Sequence, residues 1–332
     1  MPPIALLICD DSSMARKLLL RALPADWNVS VTHARNGVEG LAAIRAGLAE
    51  VTLLDLTMPE MDGYQVLEAV RAEGLSTQVI VVSGDIQDEA MRRVRELGAI
   101  AFIKKPAEPE LLKRILAQAG LLQAAPAQPV VRESAAQIPF DFFDAMREAV
   151  NVAIGQAAAL LARVLDVFVH LPVPNVNLLD SGELHMALAD AREDPQSTVV
   201  CQGYIGNGIA GEALLIFHHC SVGDMARLMK RSALDYGDQE MLLDLSSVLI
   251  GACLSGLAEQ LDVMFSQGHP QILADRAQLD SLASNARSRW KQTLAVEISY
   301  RLDGYDIHFD LLLLFTEDSV ERLRSKLDYL MG

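Results

Sequence analysis

Polar side chains end four of the apolar runs in residues 1–106, and their types suit phosphoryl chemistry. Asp10 and Asp11 follow the first run, Asp55 lies in the third, Ser83 in the fourth and Lys105 in the fifth. Three carboxylates at one place would repel one another unless a divalent cation lay among them, and Mg²⁺ prefers such oxygen ligands. A lysine and a hydroxyl beside them suit an anionic phosphoryl group. A helix cap or a solvated strand end would explain any one of these residues, but not all five together.

These side chains can meet only if a parallel sheet brings the ends of its strands to one edge. Apolar runs predict buried strands over 4–10, 51–56, 78–84 and 100–106, and a more exposed strand over 27–34. Apolar residues at helical spacing predict helices over 13–23, 37–47, 63–73, 87–97 and 108–119. This alternation predicts a five-stranded, doubly wound α/β domain, whose functional groups gather at the carboxyl ends of the strands.

Four segments within residues 3–121, "CDDSS", "DLTMPEMDG", "VVSGD" and "FIKKP", resemble the flavodoxin-like receiver domain of bacterial two-component response regulators. The resemblance implies that Asp55 accepts a phosphoryl group from a histidine kinase. It also implies roles for seven residues: a Mg²⁺ site formed by Asp10, Asp11, Asp55 and the carbonyl of Thr57, and phosphoryl or switch contacts from Ser83, Lys105 and Phe102. We therefore expect a receiver domain over residues 1–121.

Charge and hydropathy exclude several classes of function. The net charge is −16, and residues 122–332 carry most of it, with 15 basic and 28 acidic side chains. Phosphate backbones need a basic surface, so the second half is not expected to bind nucleic acid. The N-terminus has no basic leader, and no apolar run is expected to reach the roughly 18 residues needed to span a bilayer, so we expect a cytoplasmic protein without a membrane partner.

The second half contains an internal repeat. Residues 122–137 are rich in Ala, Pro and Gln and predict a linker; if flexible, it would span about 20–24 Å. Beyond it, "EAVNVAIG" at 148–155 aligns with "DLSSVLIG" at 244–251, at an offset of 96. Strand-like segments within 183–218 and 294–315 follow, and helices over 221–232 and 317–331 close the two halves. We expect an α+β domain over 138–332 with pseudo-twofold symmetry, its repeats spanning about 140–232 and 236–332.

The first repeat helix carries a polar pair on an apolar background. Glu148 and Asn151 recur with Asp144 and Gly155 at three- and four-residue steps, which predicts one exposed ridge along the helix. A carboxamide both donates and accepts, so it can hold a water molecule in line with an aspartyl phosphate. A carboxylate one turn away can pair with the lysine of a receiver. The recurring glycine predicts the close approach of another backbone.

"DAMREAVN", followed by 22 residues and Pro174, resembles the Asp/Ser-x3-Glu-x2-Asn-x22-Pro signature of the CheC family, with its relatives CheX and FliY. These proteins are phosphatases of the phosphorylated chemotaxis regulator CheY. The resemblance implies that Asn151 orients the attacking water while Glu148 engages the lysine of the target. It places Asp144 and Pro174 in supporting positions.

The second copy of the signature keeps its spacing but has shorter side chains, because Asp244 and Ser247 stand where the first copy has Glu148 and Asn151. This difference predicts a degenerate second site. The sequence thus favours a response regulator whose output domain hydrolyses the aspartyl phosphate of a CheY-like receiver, or of its own Asp55, under the control of Asp55 phosphorylation. The alternative is a non-catalytic module that binds a partner or forms a homodimer when Asp55 is phosphorylated.

Overall fold

The structure, a computed structural model, describes residues 2–122, 141–187, 197–218, 228, 238–273 and 292–331. The chain divides into two compact units, residues 1–148 and 149–332. The predicted linker lies outside the described residues except for Leu122, and the predicted helix over 221–232 except for Leu228. The domain boundaries at 121 and 138 therefore stay predictions.

The first unit contains a five-stranded parallel sheet in the order β2-β1-β3-β4-β5. Its strands are β1 Ile4–Cys9, β2 Val29–Ala34, β3 Val51–Leu54, β4 Gln78–Ser83 and β5 Ala101–Lys104. Its helices are α1 Ser13–Ala22, α2 Gly37–Arg45, α3 Gly63–Glu73, α4 Asp88–Glu96 and α5 Pro109–Gln118. The predicted α/β order is confirmed, and each predicted element overlaps the observed one.

Apolar side chains fill both faces of this sheet, which is why its central strands are continuous apolar runs. In β1, Leu6 and Ile8 belong to the core on one face, while Leu7 and Cys9 belong to the core on the other. The predicted site residues lie where these apolar runs end.

The second unit contains an antiparallel sheet in the order β10-β8-β9-β13-β12-β6, to which β11 adds at β8 and β7 at β12. The strands are β6 Val169–His170, β7 Asn175–Asp180, β8 Thr198–Gly206, β9 Ile209–His218, β10 Ser266–Gln267, β11 Gln271–Ile272, β12 Gln292–Leu302 and β13 His308–Phe315. The helices are α6 Phe142–Leu165, which begins in the first unit, α7 Ser181–Ala187, α8 Asp238–Leu261 and α9 Glu317–Met331.

The backbone follows the internal repeat closely. Helices α6 and α8 both have 24 residues, and their bounds differ by the offset of 96. Each is followed by an aspartate with a positive φ, 58° at Asp166 and 50° at Asp262, an uncommon conformation for a residue other than glycine. The repeats also exchange short strands, because β7 of the first pairs with β12 of the second, and β11 of the second pairs with β8 of the first. The sheet is thus made from both halves, as expected.

Two expectations for the second half are wrong. The segment from residue 183 was expected to begin as a strand, but it continues α7. Asp180 caps that helix, since its Oδ1 accepts from the backbone N of Glu183 at 2.8 Å, and the Glu183 side chain accepts from the backbone N of Asp180 at 2.8 Å. The close approach of another backbone is also not found at Gly251, and for Gly155 it stays a prediction. Among the described residues, a Cβ on Gly251 would meet only the side chain of Gln267, at 3.6 Å. A Cβ on Gly256 would lie 2.8 Å from the Cα of Ala153, where α8 meets α6.

Two helices pass a simple length and hydropathy test for a membrane span, contrary to the sequence-based expectation. They are Phe142–Leu165 and Gln239–Leu261, with mean hydropathies of 1.3 and 1.8 in their most apolar windows. The protein buries 72% and 56% of those windows, as it does for core helices. Their apolar character is therefore consistent with packing inside the protein and is weak support for a membrane span.

Candidate functional site

Three carboxylates converge at the carboxyl edge of the parallel sheet. One ligand oxygen from each of Asp10, Asp11 and Asp55 lies within 4.8 Å of the others. The sheet positions them, because Asp10 and Asp55 continue its hydrogen-bond ladder through their backbone N–H groups, at 3.1 and 2.9 Å from carbonyl oxygens of neighbouring strands. Gly63 lets α3 begin against this edge, since a Cβ there would lie 2.2 Å from the carbonyl oxygen of Asp55.

Lys105 supplies the one ammonium group that the described residues place in this pocket. Its Nζ lies 2.8 Å from Oδ2 of Asp10 and 3.4 Å from Oδ2 of Asp55, and the side chain is 4% exposed. Burial by itself would lower the pKa of Lys105, but the surrounding carboxylates raise it well above its ordinary value. Lys105 is therefore held as a cation at the point where a phosphoryl group on Asp55 would need one.

The carboxylates fit a divalent cation. Neither oxygen of Asp55 accepts a hydrogen bond from any residue that the structure describes, although both are buried. Burial raises the pKa of Asp55 well above its usual range, and burial together with the charge of Asp10 raises the pKa of Asp11 to about 6. Negative charge is thus in excess, and unsatisfied oxygen donors are what Mg²⁺ binds. The contribution of the Thr57 carbonyl stays a prediction.

The two predicted switch residues lie on adjacent strands. Ser83 is fully buried at the end of β4, where its Oγ accepts a hydrogen bond from the backbone N of Asp85 at 3.2 Å. Phe102 is half-buried on β5, in register with Val81. Their roles toward a phosphoryl group stay predictions.

Glu148, from the start of α6, reaches into the same pocket. Its Oε1 lies 3.1 Å and its Oε2 3.4 Å from Nζ of Lys105, so one ammonium joins Glu148 to Asp10 and Asp55. Burial raises the pKa of Glu148 to about 7, against the opposing attraction of Lys105. A carboxylate near the start of α6 therefore contacts the lysine of this pocket.

Asp144, one turn before Glu148, binds the first turn of α1. Its carboxylate accepts hydrogen bonds from Oγ of Ser13 at 2.6 Å and from the backbone N–H groups of Ser13 and Met14 at 3.2 and 3.0 Å. The first N–H groups of a helix have no partner within it, and a negative charge is favourable there. Ser12 caps the next one, at Ala15. Asp144 thus completes the cap of α1.

The predicted ridge on α6 is buried rather than exposed. Asp144 is 8% exposed, Glu148 5% and Asn151 5%. The prediction was wrong for the two acids because groups of the receiver cover them: the first turn of α1 at Asp144 and Lys105 at Glu148. Asn151 lies three residues beyond Glu148 on the same helix, so it faces a similar direction about one turn further on.

The remaining predicted residues lie in the second unit. Pro174 is buried directly before β7, while Asp244 and Ser247 are exposed on α8. The two copies of the signature therefore differ in burial as well as in side-chain length. Sequence reasoning missed the contact residue Ser13, although "CDDSS" contains it. It also missed Arg16, whose Nη1 donates to the carbonyl of Asp10 at 2.6 Å.

Comparison with known proteins identifies the first part of the chain. Residues 6–117 match the response regulator receiver domain, so this region is a receiver domain. A protein-glutamate methylesterase/protein-glutamine glutaminase of Symbiobacterium thermophilum is 35% identical over 143 residues, which cover 41% of this chain. That match spans 39% of the relative, so the chain covers about two fifths of its length.

Two solved structures are similar to parts of the chain. The receiver domain of the putative response regulator NarL from Mycobacterium tuberculosis is 33% identical, with a TM-score of 0.34, and covers 36% of this chain and 98% of its own. Thermotoga maritima FliY is 17% identical, with a TM-score of 0.41, and covers 57% of this chain and 96% of its own.

Proposed function

We propose that this two-component response regulator, with its receiver domain at residues 6–117, uses α6 to hydrolyse the aspartyl phosphate of a receiver. Asn151 would orient the attacking water, and Glu148 would hold the lysine of the receiver. Asp144 and Pro174 would support this arrangement, and the exposed pair Asp244 and Ser247 would form a degenerate second site. The chain would act in the cytoplasm.

The ion pair between Glu148 and Lys105 is the observation that carries this proposal. The sequence predicted that a ridge carboxylate would pair with a receiver lysine, and Oε1 of Glu148 lies 3.1 Å from Nζ of Lys105. That lysine also lies 3.4 Å from Oδ2 of Asp55, the predicted phosphoacceptor. A carboxylate this close to the acceptor helps to fix the helix against the reacting group, and a carboxamide one turn away is suited to hold water.

Hydrolysis needs no protein nucleophile. The oxygen of water forms a new bond to phosphorus, the bond from phosphorus to the aspartate oxygen breaks, and its electron pair restores the carboxylate. Inorganic phosphate leaves, and the proton of the water passes to phosphate or solvent. When bound by the three carboxylates, Mg²⁺ would neutralise part of the charge on the phosphoryl oxygens. The protein contributes the position of the water through Asn151 and the charge of Lys105.

Receiver domains take their phosphoryl group from histidine kinases, so a histidine kinase would be the phosphodonor for Asp55. The sequence alone leaves two substrates open, a separate CheY-like receiver and Asp55 of the chain itself. Phosphorylation of Asp55 would in either case change the surroundings of Lys105 and with them the contact to Glu148.

The test is the release of inorganic phosphate. The full chain is phosphorylated with acetyl phosphate, and phosphorylated CheY-like receivers are supplied separately. We expect Asn151→Ala to slow release about a hundredfold, because one positioning contact in the transition state is lost. The matched change Ser247→Ala in the second repeat should leave the rate within twofold. If the wild type accelerates hydrolysis of neither substrate, the phosphatase proposal fails and the non-catalytic module replaces it.

A further inference from the structure

We infer that α6 acts on the receiver of the same chain. We also infer that Asp144 is the positioning residue that sets where α6 lies along that receiver. The inference rests on the proposed phosphatase function and specifies its substrate as the phosphate on Asp55. The chain would then hydrolyse the phosphate on its own Asp55 and return itself to the unphosphorylated state.

Two points of contact fix the helix on the receiver. Asp144 binds the first turn of α1, and Glu148 binds Lys105. The two acids are four residues apart, which places them on the same face of α6, one above the other. One contact alone would let the helix rotate or slide. Two contacts one turn apart set both the position of residues 144–148 along the helix axis and their rotation about it.

Both contacts are chemically complementary and buried. Each acid meets a positive partner, the N-terminal end of α1 in one case and an ammonium group in the other. Asp144 is 8% exposed and Glu148 is 5% exposed, so both have been removed from water. Burying a carboxylate is unfavourable unless it is paired and hydrogen-bonded, and here both are. A ridge kept open for a separate receiver would instead be expected to leave its acids in solvent.

The equivalent residues of the second repeat are exposed. Glu240, Asp244 and Ser247 occupy the positions equivalent to Asp144, Glu148 and Asn151, and all three are exposed on α8. The copy with the complete signature is therefore the one whose acids are buried in the receiver of the same chain. In the copy with shorter side chains the acids are exposed.

A mixing experiment separates hydrolysis within a chain from hydrolysis between chains. Asn151→Ala is phosphorylated, acetyl phosphate is removed, and the decay of the phosphate is followed alone and with an equal concentration of Asp55→Asn. The second variant has an intact ridge but no acceptor. We expect the half-life of the phosphorylated Asn151→Ala chain to stay unchanged, and the wild-type decay constant to stay constant over a hundredfold range of protein concentration.

The outcomes distinguish the two proposals. If Asp55→Asn shortens the half-life of the phosphorylated Asn151→Ala chain toward the wild-type value, hydrolysis occurs between chains and the inference fails, while the phosphatase function stands. If the wild-type phosphate decays no faster than that of Asn151→Ala, the phosphatase function itself fails.

The role of Asp144 is tested by two rates that should move in opposite directions. Asp144→Ala removes all three hydrogen bonds to α1, so we expect the decay of the Asp55 phosphate to slow at least about tenfold. Labelling by acetyl phosphate should become several times faster, since the helix no longer holds Glu148 at Lys105. Asp144→Asn, which keeps an acceptor oxygen, should restore part of both rates.

Glu240→Ala in the second repeat is the matched control and should change neither rate. A general loss of folding would slow labelling as well as decay. If Asp144→Ala slows both rates, or changes neither, Asp144 does not set the register.

Discussion

Glu148→Ala should lengthen the life of the Asp55 phosphate and speed its formation, with little effect on stability. Breaking a buried ion pair usually destabilises a protein by about 3–5 kcal/mol, because one charge stays buried without a partner. Lys105 would keep two partners, since its Nζ also lies 2.8 Å from Asp10 and 3.4 Å from Asp55. The change also removes one of the negative charges that raise the pKa of Asp55. We therefore expect the free energy of unfolding to fall by no more than about 1 kcal/mol, less than for an uncompensated charge.

The effect on the reaction should be larger. A hydrogen bond to a charged group contributes about 1.5–3 kcal/mol, and 1.4 kcal/mol corresponds to a factor of ten, so phosphate decay should slow at least about tenfold. Labelling by acetyl phosphate should accelerate, because Glu148 no longer shares Lys105 with the incoming phosphoryl group. Decay is followed by quenching and separating phosphorylated from unphosphorylated chain, and stability by urea unfolding.

The matched control for this prediction is Asp244→Ala, the equivalent position on α8, which should leave both rates unchanged. Glu148→Gln keeps the shape and one acceptor oxygen without the charge, and should fall between the wild type and the alanine variant. Slower labelling together with unchanged decay would refute the reasoning, because Glu148 would then support the acceptor and play no part in hydrolysis.

Three further predictions concern the same pocket, the exposed pair Asp244 and Ser247 on α8, and Gly63. Asp55→Asn should abolish labelling by acetyl phosphate, and removal of Mg²⁺ with EDTA should abolish labelling of the wild type; a phosphorylated Asp55→Asn chain would disprove the acceptor. The double change Asp244→Ala with Ser247→Ala should alter phosphate release less than twofold and unfolding by about 0.5 kcal/mol or less, since both are exposed; an effect equal to that of Asn151→Ala would show an active second site. Gly63→Ala should destabilise the receiver by more than about 1 kcal/mol in thermal unfolding, because its Cβ would lie 2.2 Å from the carbonyl oxygen of Asp55; an unchanged melting temperature would contradict this.

The receiver could be predicted from sequence because each of its signals is local. Apolar runs and helical spacing predicted the five strands and five helices of the receiver. Because the carboxyl ends of parallel strands meet at one edge of a sheet, Asp10, Asp55 and Lys105 were expected to lie together, as they do. Residues 181–187 were predicted less well. The segment after the capping pair Asp180 and Glu183 was predicted as strand-like, whereas the pair begins a helix there.

The burial of the ridge could not be predicted, because it depends on a contact between segments far apart in the chain. Ser13 and Asp144 are 131 residues apart, and nothing in the sequence around either one specifies the other. Helical spacing fixes which residues share a face, but not what covers that face. Ser13 begins a predicted helix, and only the folded chain shows that its hydroxyl donates to a carboxylate on α6.

The exchange of short strands between the repeats has a consequence for how such a domain could arise. A single repeat on its own would leave the edges of β8 or β12 open, and open edges invite pairing with another chain. We expect an isolated repeat to associate in pairs that reproduce the exchange between β7 and β12 and between β11 and β8. Gene duplication and fusion of such a paired ancestor would put both copies on one polypeptide. Selection could then preserve the polar residues of α6 while the equivalent residues of α8 changed. This would explain why the two repeats have the same backbone fold but different side chains at these positions.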